Sequence, residues 1–303
     1  MQRPGLTRPT QGAAGLLNVA KPPGITSFGV VHRVRRITGA RRVGHGGTLD
    51  PAADGVLPVL VGQATRLAEL VHEWPKTYLA TLQLGATSTT YDAEGVVTQQ
   101  MDPSRVTEEA ITQALPAFVG RIEQVPPVYS ALKVDGEPLY RKARRGESVT
   151  PASRLVDIHR LALRTYEPAG GRAVIEVECG RGAYVRSLAH DLGARLGCGA
   201  YLASLTRTAV GPLRLDEAVS LQALEDGGPD WPHWLLPLDL PLRHWPAIEV
   251  DAAQAAALSH GQPLQPVRMA SGRYRVVDPS GRLLAWGVVD GTGQFSPSGV
   301  FPA

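Results

Sequence analysis

Segments with strand and helix character follow one another along this chain without the regular alternation that a doubly wound parallel sheet requires, which removes most α/β folds from consideration. Leu16–Ala20 has the composition of a short strand and stops at Lys21-Pro22-Pro23-Gly24, where two prolines and a glycine cannot continue a ladder. A helix follows, with Ser27 as N-cap, Val30, Val31, Val34 and Ile37 on one face, Arg33, Arg35 and Arg36 largely off it, and Gly39 as C-terminal cap. Residues 44–55 form a glycine-rich loop that leads into the apolar strand Val56–Val61. Lys76–Leu84 alternates as a half-buried strand does, and Thr107-Glu108-Glu109-Ala110 opens a helix that runs to about Phe118. Residues 154–163 and 173–179 read as strands, 184–196 as a helix and 201–210 as a strand. Short hairpin-like connections dominate, so the pattern predicts an α+β fold with a mainly antiparallel sheet flanked by helices.

Composition divides this fold. The 303 residues suffice for one large unit or two unequal ones. Between Glu225 and Pro246 the chain becomes rich in proline and tryptophan, as expected of a linker or strap, so residues 15–245 form the larger unit and 246–303 a small one. In the small unit Val250–Leu258 reads as a helix capped by Gly261, and Tyr274–Val277 and Leu283–Val289 as strands joined by Asp278-Pro279-Ser280-Gly281. Residues 1–14 are expected to be disordered. No apolar run is long enough to span a bilayer and the first residues lack a signal-peptide core, so a cytoplasmic location without membrane contact is expected.

Cys179 and Cys198 are too few and too far apart for a disulfide framework or a Cys-x-x-Cys site, and the eight histidines are scattered, so no metal is expected. Gly44-His45-Gly46 and Gly180-Arg181-Gly182 are not completed to a dinucleotide fingerprint, and a nucleophile elbow is missing. The formal charge is only +3, but residues 1–75 hold nine Lys/Arg against four Asp/Glu, and 121–215 hold fifteen against nine. Residues 76–120 and 216–303 sum to −3 and −5. Two basic stretches could converge on a groove that follows a phosphate backbone. Charge alone slightly favours the plainer reading, an arginine-rich surface. Asp50-Pro51, taken alone, is more often a turn than a nucleophile.

The neighbours of Asp50 change that reading. The string Val43-Gly44-His45-Gly46-Gly47-Thr48-Leu49-Asp50-Pro51, with Gly55-Val56-Leu57-Pro58 and Gly62-Gln63-Ala64-Thr65-Arg66, resembles the signature of the TruB-type tRNA pseudouridine synthases, as does Leu17–Ser27. The resemblance continues through Lys76-Thr77-Tyr78, Asp92-Ala93-Glu94-Gly95, residues 125–133, Gly182–Leu188 and Leu205-Thr206-Arg207. It implies the pseudouridine-synthase fold, with a tRNA-binding insert at about 76–150, and isomerisation of uridine 55 in the tRNA T loop without cofactor or metal. It also implies that Asp50 acts as nucleophile or as base toward the ribose, with Arg186 as its ion-pair partner and Tyr78 stacked on the extruded base. His45 matches a residue placed where the flipped base leaves a gap. Lys21 and Pro22 match a turn supporting the active-site loop, and Asp92, Tyr184 and Leu205 match residues that line or close the uracil pocket. From strand alternation alone, Tyr78 would be a core tyrosine, and for Leu205 a place in the core is nearly as good a reading.

Ala52 and Asp54 stand where Leu and Thr are commoner in that family, which adds a carboxylate that is expected to face solvent, and Thr89 and Ala183 are two further departures. The small unit resembles a PUA domain, a β-rich RNA-binding module, through 258–264 and 287–290, and its acidity predicts contacts of shape more than charge. The expected partner is the T-arm stem-loop of tRNA, bound by a monomer with no obligate protein partner. Two other readings remain: a tRNA-refolding factor, and a guide-RNA-dependent relative acting on rRNA.

Overall fold

The computed structural model describes residues 13–129, 132–134, 136–139, 142, 145, 147, 151–264 and 269–301. Residues 1–12 of the expected tail lie outside the described residues, as do Ser130 and Ala131; Ala13 and Ala14 lead directly into the first strand. The larger unit is built from β1 (Gly15–Lys21), α1 (Ser27–Thr38), β2 (Val43–His45), β3 (Asp54–Val61), α2 (Ala68–Glu73), β4 (Lys76–Leu84), α3 (Glu108–Ala114), β5 (Gly120–Gln124), β6 (Arg154–Glu167), β7 (Arg172–Cys179), α4 (Val185–Arg195) and β8 (Ala200–Val210), with short strands between them. Among the described residues they form an eleven-stranded sheet whose main path runs Val219–Ser220, β1, β3, β8, β4, β7, β6, β5. The β3–β8 and β1–Val219 pairings are parallel and the other pairings are antiparallel. This is a mixed α+β fold with a mainly antiparallel sheet, as the sequence pattern predicts.

Side-chain periodicity accounts for the layers. From Val56 to Val61 every position is apolar, and a strand without a polar face must be covered on both sides. Leu57, Val59 and Val61 pack on Val30, Val31 and Val34 of α1, while Leu60 points the other way to Leu67, Leu70 and Val71. Each such side chain, removed from water, contributes about 1.5–3 kcal/mol. β4 alternates instead: Ala80 and Leu82 meet Leu188, Ala189 and Leu192 of α4, whereas the opposite face of the sheet is open and carries Arg160, Glu176 and Arg164 as an ion-paired ladder. β4 lies in the middle of the sheet, so it is a core strand although it opens the region expected as an insert.

Local chemistry moves several element ends. Thr26, and not Ser27, caps α1, its hydroxyl accepting from the Gly29 amide at 2.9 Å, because Ser27 is drawn into a tertiary contact described below. The helix opened by Thr107 tightens to a 3₁₀ turn over Leu115–Phe118, where Pro116 stands. The Pro- and Trp-rich stretch is a packed strap, not a free linker: Trp231 is buried against the α1 core and Leu235–Leu236 pairs with β1.

In the small unit β9 (Ala247–Glu249), β10 (Gly272–Val277), β11 (Leu283–Val289) and β12 (Phe295–Val300) form a sheet in that order, with the helix Ala252–Ser259 packed against it. The helix begins two residues later than expected, at an Asp251–Gln254 capping box, and its C-cap is His260. β9 and β12 were not anticipated. Leu283 and Phe301 share an apolar cluster with Leu16 and Leu60 of the main sheet, and Trp245 meets Trp286 edge-on at 6.0 Å.

Candidate active site

Five residues, Gly46–Asp50, connect β2 toward β3, and half of the backbone N–H and C=O groups in this loop have a partner from elsewhere in the chain. The Gly46 amide donates to the Pro58 carbonyl at 2.8 Å. Gly47 has φ +139°, a conformation that side chains resist, and a Cβ there would meet the Arg207 guanidinium at 3.5 Å. Arg207, on β8 and only 1% exposed, donates to the carbonyls of Val56 at 2.7 Å, Gly47 at 3.1 Å and Thr48 at 3.3 Å. Ser27 is buried at the start of α1. Its hydroxyl accepts from the Leu49 amide at 2.8 Å and donates to the Leu49 carbonyl at 3.0 Å. Beyond Asp50, the Pro51 carbonyl accepts from the Gly24 amide at 2.8 Å and from Lys21 Nζ at 3.1 Å. Lys21 also donates to the carbonyls of Pro22 and Ile25, at 2.9 and 2.7 Å, so the Lys21-Pro22 turn and the Asp50 loop are tied together. A loop pinned at this many points presents Asp50 from a fixed position.

Asp50 Oδ2 lies 3.1 Å from Arg186 Nε, an ion-pair contact in which the N–H is not aligned for a hydrogen bond. The guanidinium, on the first turn of α4, reaches two other segments. Nη1 donates to Asp92 Oδ2 and Nη2 to the Tyr129 carbonyl, each at 3.1 Å. Asp92 is itself fixed by the Thr90 hydroxyl and the Glu94 amide, and Tyr91, which precedes it, has φ +63° and stacks on His190 at 3.9 Å. Burial pushes the Asp50 carboxyl above the usual carboxylate range; Arg186 opposes that rise, Asp92 adds to it and Lys21 opposes it. Asp50 keeps 42% of its side-chain area accessible, on the cleft side, while Arg186 is almost wholly enclosed.

The cleft in front of Asp50 has a volume of about 350 Å³. Tyr78, Tyr184, Leu205 and Arg186 line it together with Asp50. Burial raises the Tyr78 phenol above its ordinary value, with Arg207 pulling it back, so the ring is a neutral wall. Tyr184 is held at its backbone by buried Gln124, which accepts from its amide at 2.7 Å and donates to its carbonyl at 2.9 Å, and Arg154 lies 4.7 Å over its ring. Asp92, Lys21, Pro22 and His45 are not on the cleft wall. Asp92 stands behind Arg186, Lys21 and Pro22 beneath the loop, and His45 at the end of β2, where its Nδ1 accepts from the Gly47 amide at 3.3 Å. Burial, with His72 and Arg207 adding to the effect, lowers His45 to about 4 and keeps it neutral. Asp54 does not simply face solvent, because its Oδ1 is buried without a hydrogen-bond partner at the start of β3.

Besides Arg186, three buried cations, Lys21, Lys76 and Arg207, surround this loop. Burial brings Lys21 down to about 8, with Asp54 and Asp50 opposing, and burial with the Arg207 charge brings Lys76 to about 8 as well. Lys76 and Arg207 both line the cleft and were not singled out from the sequence. The available signal was positional: Arg207 follows Leu205 by two residues, and Lys76 precedes Tyr78 by two, so each shares the inward register of a pocket residue. Among the described residues no group of His, Cys, Asp and Glu is placed to hold a metal ion, and no helix is long and apolar enough to cross a membrane.

Comparison with known proteins matches most of the chain. Residues 35–185 match the TruB family pseudouridylate synthase (N terminal domain), 186–240 the tRNA pseudouridylate synthase B C-terminal domain, and 245–302 the tRNA Pseudouridine synthase II C-terminal model. A tRNA pseudouridine synthase B from Pseudomonas aeruginosa is 42% identical over 290 residues, 94% of each chain. One from Aromatoleum aromaticum is 46% identical over 284 residues, 93% of this chain and 91% of that one. A chain of a solved H/ACA RNP bound to a substrate RNA containing 2′-deoxyuridine is 25% identical and superposes with a TM-score of 0.73, covering 95% of this chain and 85% of that one. The chain belongs to the TruB family of pseudouridylate synthases and is an isomerase.

Proposed function

We propose that this chain converts uridine 55 of the tRNA T loop to pseudouridine, with Asp50 as the catalytic carboxylate. The observation that carries the reading is the meeting of Asp50 with Arg186 on a cleft walled by Tyr78 and Leu205. In the reaction the N1–C1′ bond breaks, the uracil turns, C5 bonds to C1′, and the C5 proton leaves while N1 takes one up. Attack on the ribose and abstraction of a ribose proton both need Asp50 ionised. Arg186 favours that form, and its additional bonds to Asp92 and Tyr129 orient it. A base in a folded T loop reaches such a cleft only by leaving its stack, at a few kcal/mol. Tyr78 and Leu205 offer it two apolar surfaces, and His45, neutral beside the loop, is assigned to the gap it leaves. The acidic small unit adds contacts of shape.

Release of tritium from a C5-labelled T-arm hairpin, measured with the purified chain alone, tests this reading. Wild-type protein releases it and Asp50→Asn does not, while both bind the hairpin. Persistent release by Asp50→Asn would remove Asp50 from the chemistry, and the lack of any release by wild type without other components would favour the guide-dependent reading.

A further inference from the structure

The mechanism above uses one cation of the cleft, Arg186, and its charge is matched by Asp50 and Asp92. Lys76 and Arg207 line the same cleft, are 6% and 1% exposed, and have no carboxylate in ion-pair contact among the described residues. Buried charges are normally paired, because removing an ion from water costs several kcal/mol. Arg207 spreads its donors over three carbonyls. Lys76 makes one protein hydrogen bond, to the His72 carbonyl at 2.5 Å, and so keeps two N–H donors beside the cleft. The groups whose fields act on it are Arg207 and Arg181, both cationic, and the buried thiol Cys179. The adjoining histidines are held neutral-ward by burial. This wall thus has an excess of positive charge, and one of its lining cations keeps unfilled donors.

We infer that Lys76, backed by Arg207, forms an anion subsite that takes a phosphodiester flanking the flipped uridine. The inference rests on the proposed entry of that nucleotide into the cleft, and it adds a binding contact with no part in bond breaking. A nucleotide that enters this cleft brings one negative charge per phosphate, which supplies the counter-ion the wall lacks. A hydrogen bond to a charged group of this kind is a strong one.

The test uses T-arm hairpins in which one phosphate, on the 5′ or the 3′ side of the target uridine, is an uncharged methylphosphonate. Their equilibrium binding is measured to the Asp50→Asn chain, so that the hairpin stays unconverted, and to the same chain carrying Lys76→Gln or Lys76→Arg. Glutamine keeps a donor for the His72 carbonyl and removes the charge. At one of the two links the methylphosphonate is expected to weaken binding about tenfold when residue 76 is Lys or Arg, and by less than about twofold when it is Gln. Equal losses with Lys and Gln, or no loss at either link with Lys, would overturn the subsite. Failure of the catalytic reading shows separately, as conversion of the hairpin by the Asp50→Asn chain.

Discussion

Arg207→Met removes the donors that hold the Asp50 loop while keeping much of the side-chain length, and its cost can be worked from the contacts. The carbonyls of Val56 and Gly47 accept from buried Arg207 nitrogens at 2.7 and 3.1 Å, and that of Thr48 accepts less favourably at 3.3 Å. A buried carbonyl deprived of its donor costs about 1–3 kcal/mol. Two fully affected carbonyls therefore account for roughly 2–6 kcal/mol, to which the longer Thr48 contact adds little. Against this, the variant no longer has to desolvate a guanidinium, a term worth several kcal/mol in its own right. The desolvation term offsets most of the lost hydrogen bonding, so the expected net loss of stability is about 1–2 kcal/mol. Urea unfolding followed by the fluorescence of the five tryptophans measures it, provided the slope of the transition is unchanged. Turnover should fall further than stability does, because a loop displaced by about 1 Å costs on the order of a hundredfold in rate. A change in stability below about 1 kcal/mol, with turnover intact, would show that the three bonds do not hold the loop.

Arg186→Lys keeps a positive charge but cannot reach Asp50, Asp92 and the Tyr129 carbonyl together, so kcat should drop about a hundredfold with hairpin affinity little changed; steady-state kinetics would reveal a purely ionic role as near-normal kcat. Because burial raises the Asp50 carboxyl and the reaction needs it ionised, the pH–rate profile should lose activity on the acid side above the ordinary aspartate value of about 3.9, and a limb at or below that value contradicts the assignment. For stability the sign is reversed: a raised carboxyl makes ionised Asp50 unfavourable to the fold, so Asp50→Asn should not lose stability at neutral pH in a thermal melt. Gly55→Ala would place a Cβ 2.2 Å from the Arg207 carbonyl oxygen at φ +105°, and a soluble, wild-type-like melt for that variant would be the unexpected result.

What could be read in the sequence followed how locally each feature is determined. The buried face of α1 came from valine spacing and the strand at Lys76–Leu84 from alternation, since both depend only on neighbours within a few residues. The N-cap shifted by one because Thr26 and Ser27 are chemically interchangeable as caps, and only the distant Leu49 backbone, by claiming Ser27, decides between them. β9 and β12 were missed because Ala247–Glu249 is only three residues long, while Phe295–Val300 contains proline and glycine. At the site, the family likeness supplied Asp50, Tyr78 and Arg186. Arg207 and Lys76 stood in the same quoted strings, but a cation at an inward strand position gains meaning only when unpaired loop carbonyls and a cleft are known to face it. The partial burial of Asp54 was not legible for the same reason: it depends on the Lys21 turn beside it.

Arg186 collects partners from three stretches of chain: Asp50, Asp92, which is 94 residues away, and Tyr129, which is 57 away. No fragment containing α4 alone can satisfy it. On the proposed reading the Asp50 carboxylate is therefore oriented only once the sheet has closed and the turn at Tyr91 is in place, so a partly folded chain would lack the oriented carboxylate even if its basic stretches held RNA.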